Sequence, residues 1–219
     1  MTFITYGTYS ARPLFDLCYN SFKNIYTTSK LVIYCLDEQL FDYCKDKDVV
    51  SILHNEIQPS NYEYWSLDLS SNYQKINRQK FKIIDRAALV YSDFIYIDLD
   101  TLHIKSVLSY LSSLDSGFYS SIYANDTFCA GMMYFKNVDS SVIKILMSED
   151  YDDEKLLTHF FYKKKIAIKK LDKDIIANAD LGTVPKPCCI LHYPGVTNLK
   201  IKTELLAQQL KCPTLARVQ

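Results

Sequence analysis

Apolar and polar positions divide the chain into alternating strands and helices. Thr2 to Thr8 is a β-rich run, and after a polar turn Leu14, Leu17, Cys18 and Phe22 recur at helical spacing. Leu31 to Leu36 is an apolar strand, Asp37 stands as the N-cap of the helical stretch after it, and Val49 to Leu53 reads as a third strand. Asn55 to Tyr73 is polar, aromatic and irregular, contains the only Trp, Trp65, and reads as loop. Lys75 to Leu89 is a helix with Ile76, Ile83, Ile84, Ala87 and Ala88 on one broad side, opposite a basic stripe of Lys75, Arg78, Lys82 and Arg86. Val107 to Leu114 is a short helix, followed by strands over Gly117 to Tyr123 and Phe128 to Phe135. Asp152 to Phe161 is helical, with acids in its first turn where the dipole favours them, and Ile166 to Leu171 and Cys188 to His192 are late strands. This alternation predicts a single-domain α/β fold with a mostly parallel central sheet, whose ligands bind beyond the carboxyl ends of the strands. The domain is expected over residues 1–203, with 204–219 as a C-terminal helical tail or the start of a truncated region.

One strand ends abnormally. Phe94-Ile95-Tyr96-Ile97 is apolar and aromatic, yet it runs directly into Asp98-Leu99-Asp100. Carboxylates at the end of a buried strand are costly without a positive partner, and a divalent metal with oxygen ligands resolves that cost. The other reading is an ordinary turn, as in Asp46-Lys47-Asp48 and Asp172-Lys173-Asp174, but those two lie in charged, Lys-rich surroundings. Inside the strand Phe128 to Phe135, the pair Ala130-Gly131 marks a place where a ligand or another backbone comes close.

Composition narrows the partners. The 219 residues carry 25 acids and 25 bases, a net charge of zero, which argues against nucleic acid or an anionic membrane as the main partner. Hydrophobic residues make up 48% of the chain, enough for one substantial core. The seven cysteines show no CxxC or metal-finger spacing, and the N-terminus has no charged-then-apolar leader. Free thiols and a cytoplasmic protein without a transmembrane segment are the expectation.

The order of these pieces resembles the GT-A fold glycosyltransferases that use a nucleotide-sugar donor, particularly the glycogenin-like class and compact virus-encoded members. Phe3-Ile4-Thr5-Tyr6-Gly7-Thr8 is similar to that family's first strand and turn, and Tyr96-Ile97-Asp98-Leu99-Asp100-Thr101 to its metal motif. Lys82 precedes Asp98 by the interval at which the family places a lysine reaching the donor. Phe128-Cys129-Ala130-Gly131 resembles the Asn-Ala-Gly strand beside the donor sugar, with Cys129 in the Asn position. Asp153-Glu154-Lys155-Leu156-Leu157-Thr158 resembles an Asp-Gln-x-Leu-Leu-Asn stretch, and His192-Tyr193-Pro194-Gly195 the His-x-x-Gly segment, here followed by Asn198-Leu199-Lys200 rather than Lys-Pro-Trp.

The resemblance implies roles. Asp98, Asp100 and His192 would hold Mn²⁺, or Mg²⁺, against the donor diphosphate, with the mixed nitrogen and oxygen set favouring Mn²⁺. Thr5, Tyr6, Gly7, Thr8, Leu99, Ala130, Gly131, Gly195 and Lys200 would line the nucleotide-sugar site together with Asp98. Lys82 would stabilise charge on the leaving phosphate. Asp153 is the first candidate for sugar recognition or a catalytic base, with Glu154 and Asp126 behind it.

The implied activity is a metal-dependent transfer of a sugar from a nucleotide sugar, UDP-linked by expectation, to a hydroxyl of a glycan or protein acceptor. Two alternatives stand beside it. A nucleotidyltransferase that builds sugar nucleotides would open with a Gly-rich basic loop, where Tyr6 to Arg12 offers only Gly7 and Arg12. An inactive sugar-binding module of the same fold would have no physical reason to keep Asp98, Asp100, Lys82 and His192.

Overall fold

A computed structural model describes residues 1–54, 71–123, 125, 127–147, 153–163, 166–179, 188–194 and 199–211, with the side chains of 71–78, 153 and 199 excepted. In chain order the elements are β1 (Thr2–Gly7), α1 (Arg12–Ile25), β2 (Lys30–Cys35), α2 (Glu38–Cys44), β3 (Val50–Leu53), α3 (Ser71–Ala88), β4 (Asp93–Ile97), β5 (Thr101–His103) and α4 (Leu108–Ser113). They continue with β6 (Gly117–Ile122), β7 (Phe128–Lys136), α5 (Ser140–Met147), α6 (Asp153–Tyr162), β8 (Ile168–Lys170), β9 (Ile176–Asn178), β10 (Ile190–His192) and α7 (Leu199–Lys211).

Seven strands form the central sheet in the order β3-β2-β1-β4-β7-β6-β8. β1 is parallel to both β2 and β4, and β2 is parallel to β3; only β7 runs antiparallel, between β4 and β6. The mostly parallel sheet expected from the sequence is therefore present, built from strand–helix–strand crossovers on its parallel side.

Alternate side chains of each strand point to opposite faces, and both faces are covered. Phe3, Ile33, Ile95 and Tyr134 face α1, α2, α4 and α7 through Phe15, Leu40, Leu111 and Leu206. Ile4, Val32, Tyr96, Met133 and Phe135 face α3, α5 and α6 through Ile84, Ile143 and Phe160. Burial on both faces explains why β1, β2 and β4 read as continuous apolar runs rather than alternating ones.

Asp37 caps α2 as the sequence predicts, its Oδ1 accepting from the Leu40 amide at 2.7 Å. Its Oδ2 also accepts from the Tyr9 amide at 2.8 Å, tying the loop after β1 to the one after β2 at the carboxyl edge of the sheet.

A second, three-stranded sheet, β5-β10-β9, stands beyond the end of β4. The hydrophobic pattern predicted neither β5 nor β9, because three-residue strands carry too few positions to display a period. α7 runs unbroken through the domain boundary expected at 203, and Leu206 within it is fully buried in the core. Among the described residues no helix is long and apolar enough to cross a membrane, and the six cysteines are free thiols, five of them buried. The expected loop over 55–70, with Trp65, lies outside the described residues, and α3 begins at Ser71, earlier than the apolar pattern suggested.

Candidate metal and donor site

β1 and β4 lie side by side with Ile4 opposite Tyr96, so the turn after β1 and the carboxylates after β4 emerge at the same sheet edge. The Asp98 amide donates to the Gly131 carbonyl at 2.8 Å, extending the β4–β7 pairing by one residue and fixing the backbone that carries both acids. Directly after them, β5 pairs antiparallel with β10, and Thr101 faces His192 across the ladder. That register, set far along the chain, brings an imidazole to the carboxylates.

Asp98, Asp100 and His192 each offer a ligand atom within 4.8 Å of the others. His192 Nε2 stands 3.1 Å from Asp100 Oδ1 and 3.8 Å from Asp98 Oδ2. The first pair lacks hydrogen-bond geometry, and both of its atoms are buried without a hydrogen-bond partner. Two buried acceptors facing each other at this distance call for a positive charge, which a proton or a metal ion could provide.

Asn178 decides which imidazole nitrogen faces the acids. It is the register partner of His192 in the parallel β9–β10 pair. Its Nδ2 donates to the Ile122 carbonyl at 2.8 Å, which leaves Oδ1 to accept from His192 Nδ1, also at 2.8 Å. Nδ1 is therefore the nitrogen that keeps its proton, and Nε2 is the one turned to the carboxylates, where it can carry a second proton or, without it, offer the lone pair a ligating histidine needs.

Gly131 leaves room for that ring. A Cβ at this position would overlap the His192 imidazole. The glycine that interrupts β7 thus leaves space for a neighbouring side chain.

Each acid has its own buried lysine. Lys80 of α3 reaches Asp98, with Nζ 3.3 Å from each carboxylate oxygen, and also donates to the Ala130 carbonyl at 3.2 Å. The Tyr96 hydroxyl donates to Asp98 Oδ1. Lys202 of α7 donates to Asp100 Oδ2, and its side chain is only 2% exposed. Burial by itself works against the Asp100 carboxylate, but Lys202 and His192 hold its pKa below the ordinary value. Burial likewise opposes charge on His192, and Asp100, followed by Cys129, raises its pKa well above the usual imidazole range.

The predicted site residues divide accordingly. Asp98, Leu99, Asp100, Ala130, Gly131 and His192 come together. Thr5 and Tyr6 are buried in β1, and Gly7 closes it against Leu99; Thr8 follows at the same edge, its Oγ1 2.8 Å from Ser10 Oγ. Lys82 stands at an exposed position of α3, while Lys80 occupies the inward face and makes the carboxylate contact. Lys200 is likewise exposed, and Lys202 points inward in its place. Asp153 opens α6, Glu154 beside it accepts from the Tyr123 hydroxyl, and the Asp153 side chain, Asp126 and Gly195 lie outside the described residues.

Sequence reasoning missed Lys80, Lys202 and Asn178. Helical spacing could have found Lys80, which stands three, four and seven positions before Ile83, Ile84 and Ala87. Lys202 precedes buried Leu206 by one turn in the same way. Asn178 has no local signal, since only the pairing of β9 with β10 gives it a role.

Solved structures share this architecture at low identity. The galactosyltransferase LgtC, solved with donor and acceptor sugar analogues, is 13% identical, with a TM-score of 0.58 over 95% of this chain and 96% of that one. A glycosyltransferase involved in glycosylation of the major capsid of PBCV-1 is 13% identical, with a TM-score of 0.59 over 94% and 98%. Mouse xyloside xylosyltransferase 1 is 12% identical, with a TM-score of 0.57 over 90% and 99%. No curated protein sequence matches the chain. These likenesses establish the GT-A fold alone. The sequence pattern of the nucleotide-diphospho-sugar transferases goes further, for it matches residues 27–175, from the loop before β2 to the loop before β9, with Lys80, Asp98 and Asp100 inside the match. This chain therefore belongs to the nucleotide-diphospho-sugar transferase family.

Proposed function

We propose that the protein is a metal-dependent glycosyltransferase that moves a sugar from a UDP-linked donor to a hydroxyl of a glycan or protein. The observation that carries this reading is the buried pair of Asp100 Oδ1 and His192 Nε2, partnerless and facing each other beside Asp98 at the carboxyl edge of the sheet. A mixed oxygen and nitrogen set of this kind suits Mn²⁺, with Mg²⁺ as the second choice. Bound there, the ion would act as a Lewis acid toward the donor diphosphate.

In the transfer, the acceptor oxygen forms a bond to the anomeric carbon and the bond from that carbon to the diphosphate oxygen breaks, its electron pair staying on the phosphate. The protein's part is to hold positive charge where that pair arrives. Asp98, Asp100 and His192 would hold the ion, and Asn178 bonds His192 Nδ1, which leaves Nε2 for it. Lys80 takes the part that the sequence assigned to Lys82, steadying Asp98 close to the developing charge. Tyr6, Gly7 and Thr8 stand at the same edge for the nucleoside, and Asp153 and Glu154 at the start of α6 are the acids for the sugar or for the acceptor proton. The cytoplasmic setting expected from the cysteine pattern belongs to the same proposal.

The test is calorimetric titration of UDP with and without Mn²⁺ into the wild type and Asp100→Asn. Wild type is expected to bind UDP far more tightly with Mn²⁺ than without, and Asp100→Asn to lose that gain. Equal affinities with and without metal in the wild type would overturn the metal reading.

A further inference from the structure

The acids that would hold a metal are already matched, one lysine to each carboxylate. Lys80 reaches Asp98 from α3, and Lys202 reaches Asp100 from α7. The two contacts differ in what a metal would do to them. Asp98 is the more open acid, its side chain 25% exposed, and it keeps the Tyr96 hydroxyl as a further partner. Asp100 has no such latitude: its side chain is 9% exposed, Oδ2 is taken by the Lys202 ammonium, and Oδ1 faces His192. Two carboxylates and two ammonium groups already balance, and His192 beside them brings no negative charge, so a divalent ion would add uncompensated positive charge to the cluster.

We propose that Lys202 is an internal cation that competes with the divalent metal for Asp100, so that metal binding draws the ammonium off the carboxylate and becomes strong only together with an anionic diphosphate. This rests on the metal reading above and adds to it an order of events. A metal alone must displace Lys202 against like charge in a site with little water. A nucleoside diphosphate supplies negative charge for both the ion and the released ammonium, so each ligand strengthens binding of the other by the same factor. Lys202 acts on the metal through Asp100 and is a positioning residue.

The experiment measures Mn²⁺ affinity by electron paramagnetic resonance at mildly alkaline pH, with and without UDP, for wild type, Lys202→Met and Lys202→Arg. Without nucleotide, Lys202→Met is expected to bind Mn²⁺ about tenfold more tightly than wild type, equivalent to about 1.4 kcal/mol. Lys202→Arg keeps the cation and is expected to stay weak. UDP should strengthen Mn²⁺ binding by a larger factor in wild type than in Lys202→Met. Equal Mn²⁺ affinity of wild type and Lys202→Met without nucleotide would overturn the competition while leaving the metal site standing. No Mn²⁺ binding by wild type even with UDP would overturn the metal reading and this proposal with it.

Removing a lysine from a buried pair can cost the fold, so a second measurement uses wild type alone. Acetylation of Lys202 by an amine-reactive ester, read by peptide mass spectrometry, should be slow in the metal-free protein and about tenfold faster or more with saturating Mn²⁺, as the ammonium leaves Asp100. Unchanged protection would overturn the displacement.

Discussion

Asn178 and His192 share a hydrogen bond of 2.8 Å that fixes the proton on Nδ1 and turns Nε2 toward Asp98 and Asp100. Outer partners of this kind commonly control metal affinity by about 10–100-fold. Asn178→Ala is therefore expected to weaken Mn²⁺ by that order while circular dichroism shows an intact fold, and Asn178→Asp, which keeps an acceptor, should restore much of the loss. Titration with Mn²⁺ in the presence of UDP makes the comparison. Unchanged affinity in Asn178→Ala would remove the residue from the site.

Gly131 supports the same histidine by lacking a side chain. A methyl group there would enter the space of the imidazole, which Asn178 holds at Nδ1 and which cannot swing away freely. Gly131→Ala should cost about 1–3 kcal/mol in urea denaturation, the usual penalty of overpacking, and weaken Mn²⁺ as well. Gly7→Ala is the control: its nearest neighbour is the end of the flexible Leu99 side chain, at 2.5 Å, which can move aside. The metal-affinity loss should be confined to Gly131→Ala.

Lys80 and Lys82 are two positions apart and lie on different sides of α3, one 3% exposed and the other open to solvent. On the proposed reaction, Lys80→Ala is expected to lower kcat/KM by about 10²-fold, since it removes the fixed charge that holds Asp98. Lys82→Ala should stay near wild type. Steady-state kinetics on both variants checks the helix phase directly, and similar losses in the two would return Lys82 to the site.

The two acids that meet His192 stood out because a core strand seldom ends in carboxylates without a positive partner. Asp98, Asp100 and His192 were all found that way or through family resemblance, and the strand–helix order gave the parallel half of the sheet. The lysines were harder to read. A basic residue is assumed to face water, so Lys80 was left out of the apolar face that its spacing gives it, and Lys202 was passed over for Lys200. In both cases a lysine stem packs inward and its charge is accepted because a carboxylate is waiting. Short strands such as β5 and β9 arise from pairing with distant residues, and no local window contains that information.

His103 is expected to weaken the fold in acid. It lies in β5 with its ring edge-on to Phe3, Phe22 and Tyr26, at centroid distances of 5.5, 5.4 and 5.3 Å, and burial pushes its pKa down from 6.5 to about 3. The unfolded chain binds a proton below pH 6.5, whereas the folded one does not until about pH 3. Stability from this group is therefore present above the unfolded pKa and is lost as pH falls through that window, by about 1.4 kcal/mol per unit of pH. His103→Phe should flatten the acid side of the stability curve. Urea denaturation across the window measures it, and an unchanged slope would show that other groups dominate.

The Lys202 contact with Asp100 also has a consequence for the order of assembly. The two residues are 102 positions apart, and β10 and α7, which cover Asp100, are the last elements of the described chain. The segment that covers Asp100 is the same one that brings its cation. Burial and neutralisation thus arrive in one step, so the chain need not pass through a state in which that acid is enclosed alone.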